Sequence, residues 1–243
     1  MEGVSEFIQS ILNGPMGKQF AEAMKHVEEE KARLGPEEYE RRRIAEQEEE
    51  NRKYFRRRMV DAVENMAGSR LKECSFKNFE VNGNNREAYD KCRDLAVNFK
   101  PERKGVLLTG SNGIGKNHLA IAVCRYLAEH TVPTFYASAT TLKNRMYDSL
   151  SGGGVEDVVD KIISARLICI NDLGAEYDTG FVKEFIFHLV DRIYEDNRVL
   201  FISTNLSDEE LFKRYESRVM SRVLGMCDAV FYEDEDHRLR RNV

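Results

Sequence analysis

The chain has 243 residues, of which 42% are hydrophobic and 33% are charged, and its formal net charge is −5. A chain of this length can bury one main core and leave some residues for a smaller appendage. The acidic balance excludes a protein coated in basic surface, so any contact with nucleic acid must come from a local patch.

The five cysteines are odd in number and contain no C-x-x-C pair. Cys124 and Cys169 lie inside apolar runs, which favours core packing over disulfides or metal binding. There is no secretory leader and no apolar run long enough to cross a bilayer, and together with the unpaired thiols this predicts a cytoplasmic protein.

The first seventy residues predict a helical module. Residues 37–66 are dense in charges of both signs and contain no Gly or Pro, with Gly35-Pro36 before them and Gly68 after them. Apolar residues recur there at helical spacing, which predicts one long amphipathic helix. One or two further helices are predicted on either side of Asn13-Gly14-Pro15 from two more apolar sets: Phe7, Ile8, Ile11 and Leu12, then Phe20, Met24 and Val27.

The apolar stripes of this module leave two interpretations open. A solvated helical extension without a partner is one of them. We favour a module that covers its stripes with another protein, and we place the domain boundary between residues 70 and 71.

From about residue 75 the pattern changes to short apolar runs that alternate with amphipathic helices. Continuous apolar runs are typical of strands buried on both faces, and the alternation predicts an α/β fold with a mainly parallel five-stranded sheet. The predicted strands are VLLT (106–109), TFYA (134–137), LICI (167–170), VLFIST (199–204) and AVFY (229–232).

GSNGIGKNHLA, residues 110–120, follows the first strand and opens a helix. It matches the G-x-x-x-x-G-K-[ST] phosphate-binding pattern except at Asn117, which has no hydroxyl for a magnesium ion. Its glycines allow the amides to turn inward, and the helix N-terminus favours phosphate. The loop therefore predicts a nucleotide site.

LICINDLG, residues 167–174, is the candidate for the acidic strand that accompanies such a loop. Asp172 supplies one acid, but Asn171 occupies the position that usually carries the first one. An Asx turn at the end of a buried strand is the alternative interpretation.

Polar side chains further along the chain complete the candidate site. Asn205, at the end of the fourth strand, is placed to contact the γ-phosphate or the attacking water, although it could also cap a helix, a role that suits Ser207 better. Arg218 and Arg222 lie one helical turn apart, and Arg238 lies near the C-terminus. Surface arginines taken alone are usually solvated.

Taken together, GSNGIGKNHLA, ICINDLGAE, ISTN and SRVMSRVL resemble the bacterial helicase loaders of the DnaC and DnaI type, which belong to the AAA+ ATPase superfamily. The resemblance extends from about Phe76 to the C-terminus. It implies a three-layer P-loop core preceded by an all-α N-terminal module that binds a hexameric replicative helicase of the DnaB type.

The resemblance also implies roles for individual residues. Asp172, Asn205 and Arg218 would be catalytic, with Arg218 reaching the ATP of a neighbouring subunit in ATP-promoted oligomers. Asn117, Asn171 and Asp172 would lie at a weakly bound Mg²⁺. The residues implied in ATP binding are Gly110, Ser111, Asn112, Gly113, Ile114, Gly115, Lys116, Asn117, His118 and Arg238.

The two carboxamides bear on the rate of hydrolysis. The DnaC branch commonly carries Gly-Lys-Asn-His-Leu-Ala, so Asn117 is a family variant, whereas family members usually have Asp where this chain has Asn171. We therefore expect slow ATP hydrolysis and a high magnesium requirement, and we expect Asn171→Asp to raise turnover.

The resemblance finally implies contact with single-stranded DNA after the second strand. In TTLKNRMYDSL, residues 140–150, Lys143 and Arg145 supply charge, and Tyr147 can stack on a base. An ordinary helix with Leu142 and Met146 facing the core is compatible with this. Two other functions stay open: a transposition ATPase of the IstB type and a nucleotide-sensing adaptor with little hydrolysis.

Overall fold

The computed structural model describes residues 15–69, 72–150, 154–175 and 179–234. The chain divides into two compact units, Met1–Tyr54 and Phe55–Val243. The predicted helix around residues 7–12 and the predicted ATP contact Arg238 lie outside the described residues.

Helix α1 (Pro15–Leu34) and the first half of helix α2 (Pro36–Ala67) belong to the first unit. Gly35 ends α1 with a φ of +82°, and its N–H donates to the carbonyl of Lys31 at 2.9 Å. Pro36 then begins α2, which runs to Ala67 and stops before Gly68. The predicted long helix and its two breaks are confirmed.

The second unit begins within α2, because Val63 is 1% exposed and packs on the core. After α2 and a short 3₁₀ turn at Phe76–Asn78, helices and strands alternate. In chain order they are α3 (Arg86–Val97), β1 (Gly105–Thr109), α4 (Lys116–Glu129), β2 (Thr134–Ser138), α5 (Ala139–Ser149), α6 (Gly154–Ile163), β3 (Leu167–Leu173), α7 (Gly180–Glu195), β4 (Val199–Thr204), α8 (Asp208–Arg214), α9 (Ser217–Met226) and β5 (Cys227–Phe231).

The sheet formed by the described residues has five parallel strands in the order β2-β3-β4-β1-β5. All five predicted strands are present. β5 begins two residues earlier than predicted, at Cys227 instead of Ala229. β3 continues past Ile170 to Leu173 through a register irregularity, so the two polar residues of the motif lie inside the strand instead of after it.

Alternate residues of each strand enter two separate cores, one on either face of the sheet. On β1, Val106 and Leu108 pack with the end of α2, α3 and α4, whereas Leu107 packs with α5, α6, α7 and α9. This is the predicted three-layer α/β architecture. The parallel strands bring their carboxyl ends to one edge, where the phosphate loop begins.

All five cysteines are buried. Cys124 and Cys169 lie in the core that covers the α4 face of the sheet, and burial raises the pKa of the Cys169 thiol well above its ordinary value. These thiols therefore pack as small apolar groups. Among the described helices, none is both long enough and apolar enough to span a membrane.

Candidate nucleotide-binding site

The loop between β1 and α4 needs glycine at two positions. Gly110 has a φ of +147°, and a Cβ there would lie 2.1 Å from the carbonyl oxygen of Tyr232. Gly115 has a φ of +99°, and a Cβ there would lie 2.9 Å from the ring of Phe79. The glycine spacing in the sequence therefore fixes a tight turn that leads into the N-terminus of α4.

Lys116 is the central cation of this loop and is 4% exposed. Its Nζ donates to the carbonyl oxygens of Gly110 at 2.8 Å and Ser111 at 2.6 Å, and to Asn205 Oδ1 at 2.7 Å. A lysine this deeply buried needs such oxygen partners. The end of β4 thus meets the phosphate loop through Asn205.

Ser207 provides the helix cap for which Asn205 was the competing candidate. Ser207 Oγ accepts from the N–H of Glu210 at 3.3 Å, and Glu210 Oε2 accepts from the N–H of Ser207 at 2.8 Å. This reciprocal pair is a capping box at the start of α8. Asn205 is therefore left to contact Lys116.

The carboxylate of Asp172 accepts hydrogen bonds from the side-chain amides of both Asn117 and Asn171. Asn117 Nδ2 donates to Asp172 Oδ2 at 3.2 Å, and Asn171 Nδ2 donates to the same oxygen at 2.9 Å. The hydroxyl of Ser203 donates to Asn171 Oδ1, and the N–H of Asp172 donates to Ser203 Oγ at 3.2 Å. The predicted metal residues therefore form one polar cluster, and the Asx turn considered for this segment is replaced by strand structure.

The side chains of Ile114 and His118 face away from this cluster. Ile114 is fully buried, and His118 Nε2 lies 2.9 Å from the carbonyl oxygen of Ser75 and 3.1 Å from Asn78 Oδ1. Burial lowers the pKa of His118, an effect partly offset by the hydrogen bond with Ser75. His118 therefore ties α4 to the turn that precedes α3, a contact that the sequence pattern did not indicate.

The two arginines of α9 have different environments. Arg222 pairs with Asp191 and has a side chain that is 18% exposed, whereas the Arg218 side chain is 64% exposed and lies 3.9 Å from Asp191. Both guanidinium groups lie over the ring of Phe187, at 5.2 Å for Arg218 and 5.9 Å for Arg222. Of the two, Arg218 is the one presented to solvent.

The predicted DNA-contacting residues lie on α5. Leu142 and Met146 are buried, as the plain-helix alternative requires, while Arg145 and Tyr147 are exposed. The ring of Tyr147, 42% exposed, lies 5.8 Å from that of Phe181, which is 38% exposed on α7. Phe181 was not predicted, because it lies on a different helix far along the chain and only the fold brings the two rings together.

The residues present suit ATP and Mg²⁺. The buried Lys116 ammonium donates to the three oxygen atoms named above, and phosphate oxygens are acceptors of the same kind. Mg²⁺ is usually held by one or two carboxylates together with substrate phosphates. Asp172 and the side-chain oxygen of Asn117 fit that donor set, whereas the oxygen of Asn171 is used by Ser203.

This fold and site define a P-loop ATPase domain of the AAA+ class. Residues 71–227 match the family described as the bacterial DnaA ATPase domain, and the chain belongs to that family. The predicted AAA+ core and the predicted relation to helicase loaders are confirmed, and the chain is a replication-related AAA+ protein.

Relatives with known roles include loaders and initiators. The chain is 28% identical over 171 residues to the replicative helicase loader DnaC of Escherichia coli K12, covering 69% of this chain and 70% of that one. It is 24% identical over 169 residues to the replication initiator DnaA of Pseudothermotoga lettingae, which is 67% of this chain but 37% of that one.

Solved structures share the fold. A crystal structure of the DnaC helicase loader superposes with a TM-score of 0.62 at 22% identity and covers 68% of this chain and 99% of that chain. A DnaA structure bound to AMPPCP and single-stranded DNA gives a TM-score of 0.60 at 21% identity, covering 67% of this chain. The matched region is half, 50%, of that DnaA chain.

Proposed function

We propose that this chain is an ATP-dependent loader that binds a hexameric replicative helicase of the DnaB type and places it on single-stranded DNA. The observation that carries the proposal is the phosphate loop, where the buried Lys116 meets Asn205 and where Asn117 meets Asp172. The 28% identity to the Escherichia coli helicase loader over the region that contains this loop supports it.

Within that proposal each residue of the cluster has a task. Lys116 and the loop amides neutralise the β and γ phosphates, and Asn205 contacts the γ-phosphate or the attacking water. Asp172 orients that water. Bound Mg²⁺ supplies positive charge at the phosphates, with Asn117 and Asp172 as its protein neighbours.

Hydrolysis is proposed to be slow and to need a high magnesium concentration. Asn117 and Asn171 are both neutral, so Asp172 is the single carboxylate of the cluster formed with them. If turnover is absent with and without single-stranded DNA while ATP still binds, a nucleotide-sensing adaptor replaces the loader. Steady-state hydrolysis under both conditions distinguishes the two.

Self-association is proposed to complete the site. Arg218 is exposed on α9, so it is available to the nucleotide of a neighbouring copy. An arginine supplied in this way accelerates phosphoryl transfer by about 10³ to 10⁵ in other systems. ATP-promoted oligomers follow from this arrangement.

Single-stranded DNA is proposed to lie along α5. Lys143 and Arg145 supply positive charge there, and Tyr147 and Phe181 offer two exposed rings for stacking. The helicase is proposed to bind the N-terminal helices.

The test mixes the purified full chain with the replicative hexameric helicase of the organism that encodes it. Complex formation is measured by size-exclusion chromatography, and loading is measured as strand separation on DNA that carries a protein-coated single-stranded region. ATP-dependent loading is the expected result. A chain that binds ATP but neither binds nor loads the helicase contradicts the proposal.

A further inference from the structure

We propose that Ser203 and Asn171 are positioning residues that hold Asp172 in the orientation used for its reaction. The three residues form a closed ring of hydrogen bonds that begins at the N–H of Asp172 and returns to its carboxylate. The proposal rests on the proposed ATP-dependent function, in which Asp172 orients the attacking water.

The direction of every bond in the ring is fixed by chemistry. A carboxylate only accepts, so the Nδ2 of Asn171 must face Asp172 Oδ2, at 2.9 Å. The Oδ1 of Asn171 then faces Ser203, whose hydroxyl must donate to it. The oxygen of that hydroxyl in turn accepts from the N–H of Asp172 at 3.2 Å. Reversing one member would set donor against donor or acceptor against acceptor.

The backbone of Asp172 needs this support. Its φ is +53°, in the left-handed region that L residues adopt at a cost, and it lies where the pairing of β3 with β4 is irregular. Ser203 is fully buried and Asn171 is 2% exposed, so solvent has little access to replace the bonds of the ring. Both the backbone and the carboxylate of Asp172 are therefore held by the same two side chains.

The ring explains why a carboxamide at residue 171 suits this chain. An Asp at this position could still accept from Ser203, but it has no hydrogen to donate and would place a second negative charge beside Asp172. The sequence alone predicts that Asn171→Asp raises turnover. The geometry predicts the opposite, namely lower turnover, because Asp172 loses the hydrogen bond that Asn171 Nδ2 donates to it and gains a like-charged neighbour.

Ser203→Ala in the full chain is the main test, and Thr204→Val is its matched control. Thr204 is the next residue on β4 and is also fully buried, but its hydroxyl donates to the carbonyl of Leu173 at 2.6 Å, outside the ring. Two quantities are measured: steady-state ATP turnover, and the affinity for a fluorescent ATP analogue with Mg²⁺ and with EDTA. Thermal unfolding shows whether each variant is folded.

Ser203→Ala should lower turnover about tenfold, which is the expected size for losing the hydrogen bonds of Ser203 to the carboxamide of Asn171 and the N–H of Asp172. Its affinity for the analogue in EDTA should be unchanged, because Lys116 and the loop are intact, whereas the gain in affinity caused by Mg²⁺ should shrink. Thr204→Val should keep both the turnover and the magnesium gain. A Ser203→Ala variant that matches Thr204→Val in both quantities overturns the inference.

Asn171→Asp is the second variant, since it preserves side-chain volume and serves if Ser203→Ala does not fold. A rise in turnover would overturn the inference and would show that Asn171 stands in the place of a missing acid. Failure of the proposed function looks different. In that case the fault appears in the wild-type chain itself, either as absent ATP binding or as ATP binding without capture and loading of the helicase.

Discussion

At the scale of single residues, the phosphate site depends most on the ammonium group of Lys116. It is almost completely buried and bonded to three oxygens, one of them from Asn205 on β4. We expect Lys116→Ala to weaken ATP binding about 100-fold or more, because the loop amides do not carry the charge that offsets the γ-phosphate. Equilibrium binding of a fluorescent ATP analogue measures this.

Lys91→Ala is the control for that experiment. Lys91 is an exposed lysine that pairs with Asp228 at 3.6 Å and is not part of the loop. Its replacement should leave nucleotide affinity unchanged. Equal affinity of Lys116→Ala and wild type for the ATP analogue would show that this loop is not the nucleotide site.

The two arginines of α9 form a second matched pair. Arg222→Ala leaves Asp191, whose side chain is 17% exposed, without its close partner, so we expect a loss of about 1–3 kcal/mol in the free energy of unfolding. Arg218→Ala removes an exposed group and should leave stability within about 0.5 kcal/mol. Chemical denaturation measures both values.

The effects of the same two variants on ATP turnover should not follow their effects on the free energy of unfolding. Arg218→Ala should abolish turnover while ATP still binds, and mixing it with Lys116→Ala should restore part of it, because one variant keeps the arginine and the other keeps the nucleotide site. Absence of recovery in the mixture, with both variants folded, would contradict an arginine supplied by a neighbouring copy.

Part of the site was visible in the sequence and part was not. Lys116, Asn117 and Asp172 are contained in contiguous motifs, so their proximity to a phosphate loop could be predicted. The ring through Ser203 could not be, because Asn171 and Asp172 were interpreted as the end of a strand. In the structure the strand continues, and near the register irregularity the side chain of Asn171 and the backbone N–H of Asp172 both bond to Ser203 on β4, which lies far along the chain.

At the scale of elements, the phosphate loop tolerates no side chain at Gly115. Gly115→Ala combines a φ of +99° with a Cβ 2.9 Å from the Phe79 ring, so we expect a loss of about 1–3 kcal/mol in stability and weaker ATP binding. Gly180→Ala, at the start of α7, meets nothing within 4 Å and should be neutral or stabilising by up to about 1 kcal/mol. Thermal unfolding compares the two, and similar melting temperatures would contradict the loop geometry.

Variants of α5 and of Phe181 on α7 allow the contributions of charge and of ring stacking to single-stranded DNA affinity to be measured separately. Changing Lys143 and Arg145 to Ala should flatten the dependence of single-stranded DNA affinity on salt, lowering the slope by about 1.4 for two phosphate contacts. Phe181→Ala should weaken binding by about 1–3 kcal/mol and leave the slope unchanged, because a stacked ring carries no charge. Fluorescence anisotropy of a labelled oligonucleotide over a salt series measures both.

Lys91 and Lys104, both paired with Asp228, provide the control that removes two positive charges elsewhere. Changing them to Ala should alter neither affinity nor slope. If this pair flattens the slope as much as Lys143 and Arg145 do, binding is spread over the surface and α5 has no special role. If the salt dependence of DNA affinity is unchanged when Lys143 and Arg145 are replaced, these residues do not contact phosphates and α5 has only a packing role.

Elements were predicted better than their arrangement. Apolar runs marked all five strands because strands buried on both faces must be apolar throughout. The order β2-β3-β4-β1-β5 was not predicted, since it depends on which strands become neighbours after each crossover helix. The proximity of Tyr147 to Phe181 depends on the same arrangement, so the second ring could not be predicted from the sequence.

At the scale of the whole molecule, two truncations test where the nucleotide-binding unit begins. A chain that starts at Phe55 keeps the end of α2, including the buried Val63 and the partly buried Met59 and Met66. A chain that starts at residue 71 loses them and exposes the core that they cover. For Val63 alone this costs about 2 kcal/mol, so we expect the shorter chain to have the lower melting temperature.

The same truncations decide which unit binds the helicase. The chain that starts at Phe55 should bind ATP like the full chain but should no longer capture the helicase, because it lacks α1 and the charged first half of α2. Retained ATP binding shows that the lost capture is not caused by unfolding. Size-exclusion chromatography with the helicase measures capture, with the full chain as the positive control. If the shortened chain still captures the helicase, the binding surface lies in Phe55–Val243, and the N-terminal helices revert to the solvated extension that their charge alone would suggest.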